Sequence, residues 1–313
     1  MKRIEYARYG GPELMRIASF DRPAPGRGDV LVQVEAASIN PVDWTIRRGR
    51  MRLLAGPSFP RAMGKDFSGK IVQIGAGVTG WNVGDMVLGC TTVKRAGAFA
   101  SLALVRARDI VRMPDAMSFA QAATLPTVGL TAWHALVKQA KLKAGQSLLV
   151  NGAAGGVGSA AVQIAQSLGV RVTARVGNRS FERMKAMGAD PVLDYQKPLP
   201  TALDQSFDVV LDCNGSMTAR ELDRMLKRGG IAVDITFRAP KLLRAIFLRR
   251  QKLASGSVDQ RALVAVAELA AAGTLRPEIG AEVSLDEAIS LITRLEEGEK
   301  LDGKAVIHFH HRG

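Results

Sequence analysis

A glycine-rich turn between an apolar strand and a helix is the feature that most constrains how this chain folds. Apolar residues fill 147–150, and the next eight residues are Asn151-Gly152-Ala153-Ala154-Gly155-Gly156-Val157-Gly158. A helical pattern follows over 159–168 and a second apolar strand over 171–175. Glycines there let the backbone approach a pyrophosphate, and the helix N-terminus offers unpaired N–H groups to it. This order of elements predicts a dinucleotide-binding turn rather than a structural glycine turn.

Strands and helices alternate after this turn. Further strand patterns occupy 191–194, 207–212 and 230–235, and helical patterns occupy 181–187 and 218–226. Alternation of this kind is typical of parallel strands joined by crossover helices. We therefore predict an α/β fold with a doubly wound parallel sheet.

The first 120 residues have a different sequence pattern. Short β-type runs at 30–36, 70–74, 86–88 and 98–105 are separated by glycine and proline turns, which predicts a small barrel-like domain. An alanine-rich, helix-compatible stretch covers 119–139. Helical patterns at 260–272 and 285–297 precede a last apolar strand, 305–309, which we expect to return to the first sheet. The predicted boundaries are 1–120 and 261–313 for one domain, interrupted by 121–260.

Composition excludes several classes of protein. With 47% hydrophobic and 23% charged residues in 313, the chain can bury substantial cores and lacks the bias of disordered proteins. Its two cysteines, Cys90 and Cys213, make neither a disulfide framework nor a four-thiolate zinc lobe. No segment approaches the roughly 18 apolar residues of a membrane helix. We predict a protein without membrane association in a reducing, cytoplasmic compartment.

The chain is basic, with a net charge of +14, and this favours anionic partners. One segment between residues 235 and 258 carries six basic residues, no acid and an amphipathic pattern. Three interpretations stay open: a solvated helix face, attraction of NADPH or an acyl-CoA, and nucleic acid binding. The six residues are Arg238, Lys241, Arg244, Arg249, Arg250 and Lys252.

The end of the second strand indicates which nucleotide binds. An NAD site normally has Asp or Glu there to bind the ribose 2′-hydroxyl. This chain has Arg175, followed by Asn178 and Arg179, and no acidic residue from 171 to 181. Guanidinium groups suit a 2′-phosphate. We predict NADPH over NADH, with solvated arginines as the alternative.

Six segments together resemble a known family. They are Ala37-Ser38-Ile39-Asn40-Pro41-Val42-Asp43, Gly64-Lys65-Asp66-Phe67-Ser68-Gly69, Val83-Gly84-Asp85-Met86-Val87, Gly129-Leu130-Thr131-Ala132-Trp133, residues 153–158, and Met187-Gly188-Ala189-Asp190. The pattern is similar to the medium-chain dehydrogenase/reductase superfamily, in the zinc-lacking quinone oxidoreductase branch that includes zeta-crystallin and the enone reductases. This resemblance implies a GroES-like barrel interrupted by a Rossmann domain.

The resemblance also implies roles for individual residues. Asn40, Asp43 and Thr131 are expected near the nicotinamide, with capping of a turn as the alternative for the first two. The expected pyrophosphate and adenosine contacts are Ala154, Gly155, Gly156, Val157, Tyr195, Asn214 and Gly215. A family tyrosine position is occupied by Thr45, so Trp44 is the alternative aromatic wall. The resemblance further implies a homodimer in which 252–258 extends the sheet.

Metal ligands of the zinc-dependent relatives are missing. Where those enzymes carry Cys this chain has Asn40 or a neighbour of it, and where they carry Gly-His-Glu it has Gly64-Lys65-Asp66. The histidines do not replace these ligands, because His134 is alone on a helical stretch and the other three, His308, His310 and His311, crowd a tail that we expect to be solvated. We predict that no metal is bound.

The lack of metal ligands indicates which class of substrate the protein reduces. Simple ketones need a Lewis acid to polarise their oxygen, whereas quinones and α,β-unsaturated carbonyls accept hydride without one. We expect Asn40 and Lys65 to donate to the developing anion, although Lys65 could instead pair with Asp66 or face solvent. The rival function is a non-catalytic, NADPH-binding protein for RNA, which the low aromatic content of 5% disfavours.

Overall fold

The computed structural model describes residues 1–236 and 250–309, which form two compact units. One unit is built from Met1–Thr127, Ser257–Ala271 and Pro277–Gly313, and the other from Val128–Gly256 and Ala272–Arg276. The functional division expected after residues 120 and 260 stays a prediction. Most of the basic segment, together with His310 and His311, lies outside the described residues.

Short strands and three short helices make the N-terminal part of the first unit, where glycine and proline turns separate the apolar runs. The strand expected over 98–105 starts only at Leu102. Residues before it bond to other segments: Phe99 donates its N–H to Met63 and accepts one from Ile4. The elements are β1 (Lys2–Tyr6), β2 (Met15–Ser19), β3 (Asp29–Ile39), α1 (Pro41–Arg47), α2 (Arg52–Ala55), β4 (Arg61–Ala62), β5 (Asp66–Ile74), β6 (Met86–Cys90), β7 (Leu102–Arg106), β8 (Ile110–Arg112) and α3 (Phe119–Ala123).

The helical stretch expected over 119–139 is divided. Helix α3 ends before Thr124, and α4 (Pro126–Trp133) begins at a proline and continues as one wider turn over His134–Gln139. Proline has no N–H to donate into a preceding turn but fits the first turn of a new helix, so the break falls at this point.

A parallel sheet is the core of the second unit. Its strand order in the described residues is β11-β10-β9-β12-β13-β14, so the order reverses at the buried strand β9. The five predicted strands are all present, which confirms the doubly wound sheet. The elements are β9 (Ser147–Asn151), α5 (Gly156–Ser167), β10 (Arg171–Val176), α6 (Phe181–Ala186), β11 (Val192–Asp194), β12 (Phe207–Asp212), α7 (Ala219–Met225), β13 (Leu226–Asp234) and β14 (Gln251–Leu253).

The last part of the chain completes the first unit. It contains α8 (Gln260–Ala271), β15 (Ile279–Ser284), α9 (Leu285–Glu296) and β16 (Lys304–His308). Strand β16 pairs antiparallel with β3, with Ala305 opposite Ile39, so the prediction that the last strand returns to the first sheet is confirmed. The described residues of that sheet follow the order β15-β16-β3-β5-β6-β8, and β7 also pairs with β3. Apolar side chains of β3, β5 and β16 form its core.

Searching residues 1–236 and 250–309 for a membrane-spanning helix finds none of the required length and hydrophobicity.

Candidate functional site

Polar side chains from distant parts of the chain meet inside the first unit, and we call this group the buried polar centre. Strand β3 leads into Asn40, α1 carries Asp43 in its first turn, and β5 begins at Asp66. Five of the six side chains are less than one-tenth exposed, and Thr127 is half-buried. The six residues are Asn40, Asp43, Lys65, Asp66, Thr127 and Lys304.

Both polar atoms of the Asn40 side chain form hydrogen bonds inside this centre. Its Nδ2 donates to Asp66 Oδ2 at 2.9 Å and to the Ser38 carbonyl at 3.1 Å. Its Oδ1 accepts a hydrogen bond from Lys304 Nζ at 2.5 Å, and the same ammonium donates to the Ile39 carbonyl at 2.8 Å. Both amide hydrogens therefore already have acceptors, which leaves none for a substrate.

Asp66 is the best satisfied carboxylate of the centre. Its Oδ1 accepts the Thr127 hydroxyl at 2.6 Å, and its Oδ2 accepts the Thr127 backbone N–H at 3.0 Å in addition to the Asn40 amide. A buried carboxylate with three such donors replaces the water that it lost on folding. Asp66 thus joins Asn40, at the end of β3, to Thr127 within the first unit.

Asp43 is satisfied on one side only. Its Oδ2 accepts the Asn40 backbone N–H at 2.7 Å, so the capping role left open by the sequence is present. Its Oδ1 is buried and has no hydrogen-bond partner among the described residues. Burial, with a smaller contribution from Asp66, raises the pKa of Asp43 to about 7 against the opposing effects of the Asn40 N–H, Lys65 and Lys304.

Lys65 is buried, so it does not face solvent. Burial alone would lower the pKa of this ammonium, but Coulombic attraction by Cys90, Asp66 and Asp43 outweighs burial and raises that pKa. Burial raises the pKa of the Cys90 thiol to about 12. Lys65 is therefore held as a cation in a water-poor site.

Donor types in the described part of the chain do not suit a metal. No group of three His, Cys, Asp or Glu side chains there could hold an ion together. His134 is buried with its Nδ1 2.8 Å from the Ser255 carbonyl. His308 is half-buried in β16 beside Glu282, so the expectation of a solvated tail is wrong for this residue, because it pairs within the last strand.

The glycine turn between β9 and α5 lies where the strand order of the second unit reverses, the position at which open α/β sheets bind ligands. A Cβ on Gly158 would stand 2.3 Å from the Gly152 oxygen, so close packing requires glycine. A Cβ on Gly155 would meet only that oxygen, at 3.6 Å, and would otherwise enter open space. Gly155 thus leaves room above the N-terminus of α5, which fits a pyrophosphate.

The predicted adenosine residues divide into two groups. Arg175 is buried, and its Nη2 donates to the carbonyls of Tyr195 and Lys197 at 3.1 and 3.3 Å. Asn178 and Arg179 are exposed after β10, and Tyr195 is 49% exposed with its ring against Gly177. Arg175 therefore joins the end of β10 to the residues after β11, whereas the side chains of Asn178, Arg179 and Tyr195 are exposed at this end of the sheet.

Asn214 and Gly215, which were also predicted to bind the cofactor, lie in the turn after β12. Asn151 donates to Asp212 and Asn214 at 2.8 and 2.9 Å, and Gly215 donates its N–H to Asp212 at 3.0 Å. These bonds join the turn after β12 to the end of β9. Thr131 is buried on α4.

Comparison with known proteins now decides the family. Residues 26–115 match the model of the alcohol dehydrogenase GroES-like domain, and 187–307 match that of a zinc-binding dehydrogenase. The chain is 35% identical over 246 residues to the chloroplast envelope quinone oxidoreductase homolog of Arabidopsis thaliana, which covers 75% of each chain. This chain belongs to the medium-chain dehydrogenase/reductase superfamily. The predicted GroES-like barrel interrupted by a Rossmann domain is confirmed.

Two further similarities bear on activity. The 2-methylene-furan-3-one reductase of Solanum lycopersicum is 31% identical over 98% of this chain and 79% of its own. The structure of Escherichia coli quinone oxidoreductase complexed with NADPH superposes with a TM-score of 0.82 at 26% identity, over 98% of this chain and 100% of that one. The prediction that the protein is an oxidoreductase of this superfamily is confirmed.

Sequence reasoning missed Lys304, Cys90 and Thr127 as members of this site. Lys304 lies 264 positions from its partner Asn40, so no local pattern joins them. The available signal was a lysine that opens an otherwise apolar strand, but a charged residue at a strand end is ordinarily solvated.

Proposed function

We propose that the protein is an NADPH-dependent reductase of quinones or α,β-unsaturated carbonyl compounds that works without zinc. The observation that carries this proposal is the buried ammonium of Lys65 in the polar centre. A fixed cation in a water-poor site stabilises a negative charge that develops on a substrate oxygen. The names of two relatives, a quinone oxidoreductase homolog and a 2-methylene-furan-3-one reductase, support the two substrate classes.

Lys65 rather than Asn40 is the proposed donor to that oxygen. An ammonium has three hydrogens to donate, and the neighbouring carboxylates of Asp66 and Asp43 favour its charged form. The Asn40 amide hydrogens are bound to Asp66 and Ser38. We therefore assign Asn40 the role of holding the Asp66 carboxylate, and Lys65 the contact with substrate.

NADPH is the proposed cofactor, as the neighbour complexed with NADPH and the shape of the glycine turn suggest. When bound, the cofactor supplies a hydride to the conjugated acceptor. The N–H groups at the start of α5 would hold the pyrophosphate, while Asn178, Arg179 and Tyr195 would hold the 2′-phosphate. The proposed contacts with the remaining parts are Ala154, Gly155, Gly156, Val157, Asn214, Gly215 and Thr131.

The rival function, RNA binding without catalysis, gains no support from the described residues. Its motivation was the basic segment, most of which lies outside them. Homodimer formation stays a prediction, with β14 at the edge of the parallel sheet as the expected contact. Cytoplasmic location likewise stays a prediction.

The test is NADPH oxidation by the purified protein with a panel of quinones, enones, enoyl thioesters and simple ketones, repeated with NADH. We expect turnover of the conjugated acceptors only, with a clear preference for NADPH. Equal rates with simple ketones would contradict the substrate class, and equal Michaelis constants for the two cofactors would contradict the assignment of Arg179. Absence of turnover combined with retention on RNA at elevated salt would favour the rival function.

A further inference from the structure

Two leucines of the first unit are displayed on its surface. Helix α2 is a single turn whose buried residue is Ala55, whereas Leu53 is 95% exposed and Leu54 is 63% exposed. This reverses the ordinary arrangement, in which the larger apolar side chains face the core. We call residues 50–54 the exposed leucine segment. Isolated apolar residues on a surface are normal, but two adjacent leucines of this exposure call for an explanation.

Hydrogen bonds and ring contacts hold this turn in place. Ala55 donates its N–H to the Met51 carbonyl at 2.9 Å, which closes the turn. The Tyr9 hydroxyl donates to the Gly56 carbonyl directly after the helix. The ring of Phe59 stands edge-on to that of Tyr9, with 4.9 Å between the ring centroids. The leucines are therefore presented by an ordered turn.

The charge around the exposed leucine segment is positive. From residue 44 to 65 the chain has no acidic residue. Arg50 and Arg52 are exposed there, and neither has an ion-pair partner among the described residues. The turn over 93–95 lies beside α2 and adds the exposed Lys94. Exposed cations thus accompany the two leucines.

Apolar side chains set among cations match a lipid surface, where anionic phosphates lie above hydrocarbon. We propose that the exposed leucine segment docks the protein on membranes that contain anionic lipids. The two leucines enter the boundary between headgroups and acyl chains, while the arginines and Lys94 contact the phosphates. This departs from the sequence-based prediction of no membrane association. That prediction rested on the lack of a long apolar run, whereas the exposure of these leucines is a property of the fold.

Three other occupants fit this surface less well. A second copy of the chain, related by a two-fold axis, would bring Arg50 and Arg52 close to their own counterparts, and like charges repel. A partner helix needs an apolar groove several turns long, whereas α2 is one turn. Nucleic acid would use the cations, but its bases stack on aromatic rings rather than on leucines. Cations combined with exposed leucines therefore favour lipid.

The first test is sedimentation with vesicles of equal parts phosphatidylglycerol and phosphatidylcholine, and with vesicles of phosphatidylcholine alone. The unchanged protein should bind only the anionic vesicles, and added salt should weaken this binding. Leu53→Gln combined with Leu54→Gln keeps good helix formers on an exposed turn and should weaken binding at least about tenfold. Arg50→Gln combined with Arg52→Gln should weaken it at least about tenfold as well.

The matched control is Arg171→Gln combined with Arg228→Gln, which removes two exposed arginines of the second unit and lowers the net charge equally. It should bind the anionic vesicles within about threefold of the unchanged protein. Equal weakening by the two arginine pairs would assign the attraction to net charge and overturn the proposal. Undiminished binding by the leucine double variant would overturn it too.

A second measurement reports insertion of the segment. Leu53→Trp places a fluorophore on it, and the added emission should shift to shorter wavelength with anionic vesicles and be quenched by lipids brominated on their acyl chains. Val83→Trp, exposed in the turn between β5 and β6, should show neither change. Unquenched emission from vesicle-bound L53W, or failure of the unchanged protein to bind, would overturn the docking role.

The oligomeric mass decides against the rival occupant. A lower mass of the leucine double variant in light scattering, with vesicle binding unchanged, would assign the segment to a contact between copies instead. None of these readouts depends on turnover, so failure of the proposed reductase function would leave this inference standing.

Discussion

The glycine turn of the second unit and the buried polar centre of the first are assembled in opposite ways. The turn is one run of eight residues, 151–158, and its proposed function depends on backbone N–H groups and on glycines that leave room for a ligand. The polar centre joins side chains as far apart in the chain as Asn40 and Lys304. A continuous backbone site can be found from sequence, whereas a site built by long-range contacts needs the fold.

The two regions also differ in the interactions that stabilise them. The turn is stabilised by close backbone packing at Gly158, so its substitutions act through steric contact. The centre buries two carboxyl groups with two ammonium groups, where removal of one charge leaves its partners uncompensated. We therefore expect changes in the centre to affect stability and rate, and changes in the turn to affect packing at Gly158 and nucleotide binding at Gly155.

The largest effect is expected for Lys304→Met. This change removes a buried cation that donates to Asn40 and Ile39 and faces Asp66 and Asp43. The free energy of unfolding, measured by urea denaturation, should fall by about 3 to 5 kcal/mol. Lys304→Arg keeps the charge and should recover a large part of this loss. A loss below about 1 kcal/mol for Lys304→Met would mean that the centre is not held by charge pairing.

The next effect is expected for Lys65→Met, which keeps much of the side-chain volume and removes the donor. Reductase kcat should fall about a hundredfold, as is usual when a transition-state donor is lost, while the Kd for NADPH stays the same. Lys70→Met, on the exposed side of β5, is the control and should leave kcat unchanged. Unchanged turnover of K65M would remove Lys65 from the mechanism.

Two glycine variants separate packing from binding in the turn. Gly155→Ala places a methyl group in open space, so unfolding should be unaltered while NADPH binds about tenfold more weakly, because the methyl enters the proposed pyrophosphate site. Gly158→Ala drives a methyl against the Gly152 oxygen and should cost about 1 to 3 kcal/mol of stability. Fluorescence titration with NADPH and urea denaturation measure the two effects. Normal binding by G155A would place the pyrophosphate elsewhere.

The smallest effect is expected for the arginines at the end of β10. Arg179→Ala should weaken NADPH about tenfold and leave NADH unaffected, since one charge-assisted contact with the 2′-phosphate is lost. Arg175→Ala should instead lower stability and weaken both nucleotides, because its guanidinium holds the Tyr195 and Lys197 carbonyls. Michaelis constants for both cofactors provide the readout, and equal loss for both in R179A would contradict the assignment.

Sequence predicted those parts of the molecule that depend on neighbours along the chain. The strand β9, the turn after it and the helix α5 followed from one contiguous pattern, and the apolar strand β16 was expected to rejoin the first sheet. The position of Arg175 was also evident. Its side-chain direction was not, because the carbonyls that it binds belong to residues after β11, which pairs with β10 only in the folded sheet.

In the buried polar centre, the roles of individual residues could not be predicted from the sequence. Asn40, Asp43 and Lys65 were selected from the sequence, but their division of work depends on contacts that only the fold creates. The amide hydrogens of Asn40 are bound to Asp66 and Ser38, and its oxygen accepts a hydrogen bond from Lys304 on β16. One oxygen of Asp43 caps α1, and the other has no partner among the described residues. Residue type predicted the chemistry of the site, and tertiary contacts determine which residue carries each step.

The most direct test of the central claim compares an enone with its saturated ketone, each offered with NADPH to protein treated with EDTA. If the Lys65 ammonium supplies the positive charge at the substrate oxygen, the enone will be reduced at the same rate before and after EDTA treatment, and the saturated ketone will not be reduced. A rate that falls on EDTA treatment and returns with added zinc would contradict this account.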